Sequence, residues 1–352
     1  MRGALLAVLL LPGLALVAPT RAAAVQPREP QVRCTITDPR LSELSGLVAG
    51  RDHWYAVNDG GTQATVVVLT KDCAVDREIV GDIDPYDVED LARGRDGTFW
   101  LSDTGDNDRD RDTVALIALT PDGSATLHRL TYPDGAHDTE ALLLDRDGTP
   151  YLVSKSTSGQ AKVFRPAGEL ASPGPTPLEV VGSVDFAPTG TQGGPVPAFV
   201  GSVTVTGGAT SADGSVVALR TYTDAYLWHV EDDLVAALGT TAVRIPLPDE
   251  AQGEAIAFEP DGTLLSASEG TGEPVRAVPG AAALVAPPEP SPSPSPSPSA
   301  PSSARSSGGS DETSGRSGED GMSALPAAVV AVVAVVLVGG TLLFVRRRAR
   351  RR

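Results

Sequence analysis

Short apolar runs alternate with polar punctuation along most of this chain, and the punctuation recurs at fixed offsets. Asp96-Gly97, Asp147-Gly148, Asp213-Gly214 and Asp261-Gly262 each stand between apolar segments, and Asp52-His53 fills the same slot earlier. Asp-Gly between strand-like runs is a strong hairpin signal. Seven residues before each of these aspartates stands a small or acidic opener: Ser45, Glu89, Glu140, Thr206 and Glu254. Seven residues after it stands a polar terminus: Asp59, Asp103, Ser154, Arg220 and Ser268. Successive openers lie 44, 51, 66 and 48 residues apart. The runs between, such as TFWLSD, PYLVSK, VVALRTY and TLLSASE, read as strands, and outer strands follow in each repeat, TVVVLTK and REIVGDI in the first.

That period suits four short strands per repeat, the signature of a β-propeller blade. The predicted fold is all-β: a propeller of five blades, with six left open because the third repeat has room for extra strands. The fifth repeat ends after PVRAVP, one strand short. QVRCTITD, ahead of the first opener, is placed to supply that strand and close the ring, which removes exposed sheet edges.

The flanks predict export and anchoring. Residues 1–24 carry Arg2, the apolar run ALLAVLLLPGLALVA and a small-residue exit at Ala22-Ala23-Ala24, the pattern of a secretory signal. A folded domain is expected over 25–286. Residues 287–323 are rich in Pro, Ser and Gly and read as a disordered stalk. Residues 324–345 hold no charge and are long enough to cross a membrane as one helix, and the tail 346–352 holds six arginines. Positive residues stay cytoplasmic, so the folded part is expected outside the cell. The anchor run lacks the Thr-Gly of a sortase signal.

Charge narrows the partners. Residues 25–286 hold 18 basic and 40 acidic residues, a net charge of −22. Nucleic-acid binding needs a basic footprint and is excluded as an expectation. Divalent cations, an extracellular small molecule or a partner protein fit the balance. Three lysines against many arginines and alanines suggest a GC-rich, actinobacterial-type source. Cys34 and Cys73 both fall in the exported part, where a disulfide is the first expectation and two free buried thiols the second.

A hairpin returns the chain to its starting end, so every opener and terminus shares one rim of the ring. A two-residue Asp-Gly turn would set Glu89 opposite Thr104, Glu140 opposite Lys155, Thr206 opposite Thr221 and Glu254 opposite Glu269; a bulge shifts this by one. Glu140 and Lys155 would form an ion pair, and Glu254 with Glu269 a like-charge pair needing a cation or a shared proton. The chain's two asparagines, Asn58 and Asn107, follow the second strands in NDGG and DTGDND.

Three readings of this rim stand side by side. The groups cap strands and line a wet channel; or they hold Ca²⁺, with Glu89, Asp103, Asp106, Asn107 and Glu254 as candidate ligands; or Lys155 and Arg220 hold a phosphate or carboxylate. Ligand-binding candidates are Asn58, Asp59, Asp103, Lys155, Arg220 and Glu269. For catalysis they are Glu89, Glu140, Lys155, Arg220 and Glu254, and the pair His137-Asp138 lies on the same rim as a possible base.

The series SGL, VEDLARG with SDTGDN, TEALLL with LVSK, ALRTY and GEAIAF resembles a group of secreted or membrane-tethered bacterial β-propellers, distantly similar to the phytase-like (esterase-like-phytase) propellers. The resemblance covers Ser45 to Glu269. It implies a Ca²⁺-dependent phosphoester hydrolase as the alternative to a binding or scaffold module. The phytase propellers have six blades and several calcium ions beside lysines and arginines; this chain offers Lys155 and Arg220 in five repeats. No G-x-S-x-G outside the linker, H-E-x-x-H, C-x-x-C, P-loop or dinucleotide fingerprint is present.

Overall fold

The computed structural model describes residues 27–285. The expected signal, stalk, membrane helix and arginine tail lie outside these residues. Among the described residues no helix is long and apolar enough to cross a membrane.

Twenty strands account for nearly all regular structure. β1 (Gln31–Thr35) comes first. β2 (Leu44–Ala49), β3 (Trp54–Asn58), β4 (Ala64–Leu69) and β5 (Val75–Gly81) form one antiparallel sheet. β6 (Val88–Arg93), β7 (Phe99–Asp103), β8 (Val114–Leu119) and β9 (Ala125–Thr131) form a second meander, and β10 (Thr139–Leu144), β11 (Pro150–Ser154), β12 (Gln160–Pro166) and β13 (Thr176–Asp185) a third. These two join into one eight-stranded sheet because β13 and β9 pair in parallel at Thr176–Leu130 and Pro177–Thr131. β14 (Val205–Thr210), β15 (Val216–Thr221), β16 (Asp224–His229) and β17 (Val243–Pro246) form the next sheet. In the last, β18 (Gly253–Phe258), β19 (Leu264–Ser268) and β20 (Pro274–Val278) are completed by β1, which pairs antiparallel with β20.

Each unit buries a face against the next. Leu91, Phe99 and Leu101 pack with Val57 and Val66; Leu142, Leu152 and Phe164 with Leu116; Val205, Leu219 and Trp228 with Leu143 and Val163; Ile256 and Leu264 with Leu227 and Ile245. The circuit closes where Leu44, Leu47 and Trp54 of the first unit meet Ala255, Leu265 and Val275 of the last. This is a β-propeller. The extra length of the third repeat is not another sheet: between β13 and β14 lie loop and the four-residue helix α1 (Ala198–Gly201). Cys34 on β1 is disulfide-bonded to Cys73 in the β4–β5 turn, which fastens the closing strand to the first unit.

The register differs from the two-residue-turn expectation. In the second unit Val88 faces Asp103 and Asp90 faces Ser102, so Glu89 is a bulge with no residue opposite. Ser45, Glu140, Thr206 and Glu254 are bulged in the same way. Most turns also hold an extra residue: Gly94 and Thr98 bracket Arg95-Asp96-Gly97, with Gly97 at φ +93, a left-handed value that glycine takes without strain. Glu254 therefore does not face Glu269, and the like-charge pair is not formed by register.

Bulges free the openers to reach sideways. The Ser45 hydroxyl donates to the Val88 carbonyl and that of Thr206 to the Gly253 carbonyl, each one unit onward. Thr104 does the same to Thr139. Asp90, next to the Glu89 bulge, is fully buried and accepts from the amides of Leu91 (2.8 Å), Leu142 (2.8 Å) and Gly208 (3.0 Å). Inner strands have an unpaired edge, and this carboxylate satisfies amides from two other units at once. Bonded to β6, β10 and β14 at once, it acts as a plug among these inner strands.

Candidate functional site

Three carboxylates converge on the rim beside this plug. Glu89, Asp138 and Glu140 are all buried, and one oxygen from each lies within 4.8 Å of the others. Glu89 and Glu140 are the bulge residues of β6 and β10. Asp138 precedes β10, and its Oδ1 accepts the Asp106 amide at 3.0 Å. The Lys155 Nζ lies 2.5 Å from Glu140 Oε1 and 5.9 Å from the Tyr222 ring centre. The expected Glu140–Lys155 pair thus forms, although the two residues do not face each other in the ladder.

The Glu89 carboxylate stands among Glu140, Asp87, Asp138 and the cation of Lys155. Burial, then Glu140, Asp87 and Asp138, hold Glu89 well above the ordinary carboxylate range. Burial also raises Glu140, opposed by Lys155 and reinforced by Asp138 and Glu254. Burial lowers Lys155, but Glu140, Tyr222, Asp138 and Glu89 outweigh it and hold it well above its usual value. Burial raises the Tyr222 phenol.

Gly105 makes room for the acids. A Cβ there would stand 2.0 Å from Glu89 Oε1 and 2.6 Å from Asp87 Oδ2. The DTGDN segment therefore contributes its glycine to the site.

The other candidates divide into neighbours and structural groups. Glu254 acts electrostatically on Glu140 and accepts from Gln252 Nε2 at 2.8 Å. Asp103 accepts the amides of Tyr86 and Asp87 and pairs with Arg111 at 3.2 Å. Asp106 accepts the amides of Asp110 and Arg111, which folds its own loop. Asn107 is exposed. Asn58 accepts the Glu43 amide, Asp59 is buried beside it, and the Glu269 amide donates to the Gln252 carbonyl. His137 pairs with Asp134 at 2.8 Å.

Arg220 is fully buried. Its guanidinium donates to the carbonyls of Thr221, Tyr222, Ala255 and Ala267 and to Glu250 Oε2 at 2.6 Å. Glu250 in turn accepts from Ser266. This cation staples the fourth unit to the fifth.

Sequence reasoning missed Asp138 as a ligand, and it missed Asp90, Glu250 and Gly105. A signal for Asp138 exists: Asp87-Val88-Glu89 and Asp138-Thr139-Glu140 repeat Asp-x-Glu at the same point of consecutive units.

No protein-family model matches the sequence, and no curated protein matches it significantly. Solved propellers superpose loosely. The gluconolactonase XC5397 from Xanthomonas campestris has 16% identity and a TM-score of 0.40, covering 75% of this chain and 89% of that one. The Cps50 (Swd1) β-propeller domain of Myceliophteria thermophila has 16% identity and a TM-score of 0.37, covering 70% and 99%. Virginiamycin B lyase from Staphylococcus aureus has 13% identity and a TM-score of 0.35, covering 70% and 69%. Likeness at this level says nothing about chemistry.

Proposed function

We propose that the chain is an exported recognition protein: a five-bladed propeller over 25–286, following a signal at 1–24 and tethered through the stalk to a membrane helix at 324–345. Its rim holds a divalent cation on Glu89, Asp138 and Glu140, and through that cation binds an extracellular ligand bearing oxygen donors. The observation that carries this is the convergence of Glu89, Asp138 and Glu140, three buried carboxylates with one oxygen each within 4.8 Å of the others. Buried anions are matched by protons, cations or metals, and Lys155 supplies one charge against three acids. All-oxygen donors suit a hard ion such as Ca²⁺.

The phosphoester-hydrolase reading uses the same acids but gains less support. Of the two cations expected to hold a phosphate, Arg220 is spent on carbonyls and Glu250, and Lys155 is paired with Glu140. Recognition is therefore the better reading.

Calorimetric titration of Ca²⁺ into the chelator-stripped protein tests it. One bound ion and a raised melting temperature are expected, with affinity at least tenfold lower in Glu89→Gln. No heat and no thermal shift in the wild type would overturn it.

A further inference from the structure

The opposite mouth of the ring, beyond the Asp90 plug, is a separate funnel of about 960 Å³ at the hairpin turns. Its walls include Leu91, Leu142 and Phe258. Its lip carries Arg51, Arg93, Arg95 and Arg146, drawn from the first three units. In a domain of net charge −22 this is a concentration of positive charge.

None of these four guanidiniums forms a close ion pair among the described residues, although Arg93 lies over the Tyr55 and Phe99 rings and within electrostatic reach of Asp96. Arg93 and Arg95 bond the carbonyls of Gly97 and Asp213, and Arg146 those of Val230 and Glu231. Asp96, Asp145 and Asp147 also line the mouth, but Asp96 is turned back to Thr98, and Asp145 to the amides of Asp147 and Thr149.

The last described residues lie on this face: the Ala282 amide donates to the Gly262 carbonyl of the β18–β19 turn at 3.0 Å, and Leu284 and Val285 pack against the core between the fourth and fifth units.

We propose that this funnel is a second binding site, for an amphiphilic anion: a phosphate or carboxylate head held by the arginines, and an apolar tail against Leu91, Leu142 and Phe258. Guanidinium forks match such heads, and apolar walls with few placed polar groups are what small-ligand sites require. The site is independent of the cation rim.

Residues 27–285 close their own ring, so this fragment is titrated with dodecyl phosphate below its micellar concentration, in parallel with inorganic phosphate and dodecyl maltoside. Saturable 1:1 binding of dodecyl phosphate is expected, at least tenfold tighter than either control. Arg51→Gln with Arg146→Gln weakens it at least tenfold. Glu169→Gln, at an exposed loop residue outside the funnel, leaves it unchanged. Equal binding of the maltoside would show an apolar surface without head recognition. Equal binding of inorganic phosphate would show an anion site without a tail. Unaltered binding in the arginine variant would place the ligand elsewhere. Each of these three results overturns the proposal.

Discussion

Arg220→Met separates a structural cation from a ligand-binding one. The guanidinium is fully buried, its Glu250 partner is 2% exposed, and they meet at 2.6 Å. Removing one partner of a buried ion pair costs about 3–5 kcal/mol, because the remaining charge is left in a low-dielectric site. Methionine fills much of the volume, so the cavity contribution is small beside this. A domain of this size loses about 2–4 °C of melting temperature per kcal/mol, so the variant is expected to melt about 6–20 °C below wild type. Thermal unfolding followed by circular dichroism, with urea unfolding at 25 °C as a check, measures it. Replacing both partners, Arg220→Met with Glu250→Leu, restores much of the loss, since a buried pair is often no more stable than its apolar replacement. A single variant melting within about 3 °C of wild type would refute the reasoning. So would a double variant no more stable than the single.

Three further outcomes follow from the geometry. Glu89 is held above its ordinary pKa of 4.5 in the folded state; the folded protein therefore binds that proton more tightly, and metal-free stability falls as pH rises above about 4.5. In Glu89→Gln this fall is reduced and the metal-free protein is more stable at neutral pH, as pH-dependent melts with chelator will show. Gly105→Ala displaces the Glu89 carboxylate, the movable end of a flexible side chain 2.0 Å from the new Cβ; Ca²⁺ affinity in calorimetry drops at least tenfold while the melting temperature of the metal-free protein changes little. Cys34→Ser with Cys73→Ser opens a link spanning 39 residues, a loss of about 4 kcal/mol in the chain-entropy account, read from urea unfolding of the variant against wild type.

Much of the fold was legible because propeller repeats expose their punctuation. Turn and opener recur on a period that the inner hairpin imposes, so β2, β6, β10, β14 and β18 could be placed from Ser45, Glu89, Glu140, Thr206 and Glu254 alone. The closing strand followed from a fifth repeat one strand short, and the Cys34–Cys73 bond was expected because both cysteines lie in the part read as exported. Register was not legible. Asp-Gly serves both two-residue and three-residue turns, and nothing local marks an opener as a bulge.

The site was half legible for the same reason. Openers share a rim wherever the register falls, which is why Glu89 and Glu140 could be placed together and Lys155 beside Glu140. Arg220 looked like their equal, because its burial depends on Glu250, a loop residue of the next unit that no repeat predicts. Asp103 and Asp106 looked like ligands, but Asp103 Oδ1 and both Asp106 oxygens accept from amides of their own neighbourhood. Acid-rich loops hold themselves together with the same atoms that would hold a cation.

The central claim, a cation held by Glu89, Asp138 and Glu140, is tested most directly by anomalous diffraction from crystals of the protein soaked in Mn²⁺. An anomalous peak between those three carboxylates is expected, absent in Glu89→Gln. A peak confined to the Asp103–Asp106 loop, or no peak on the rim with Glu89 hydrogen-bonded to the protein, would contradict it.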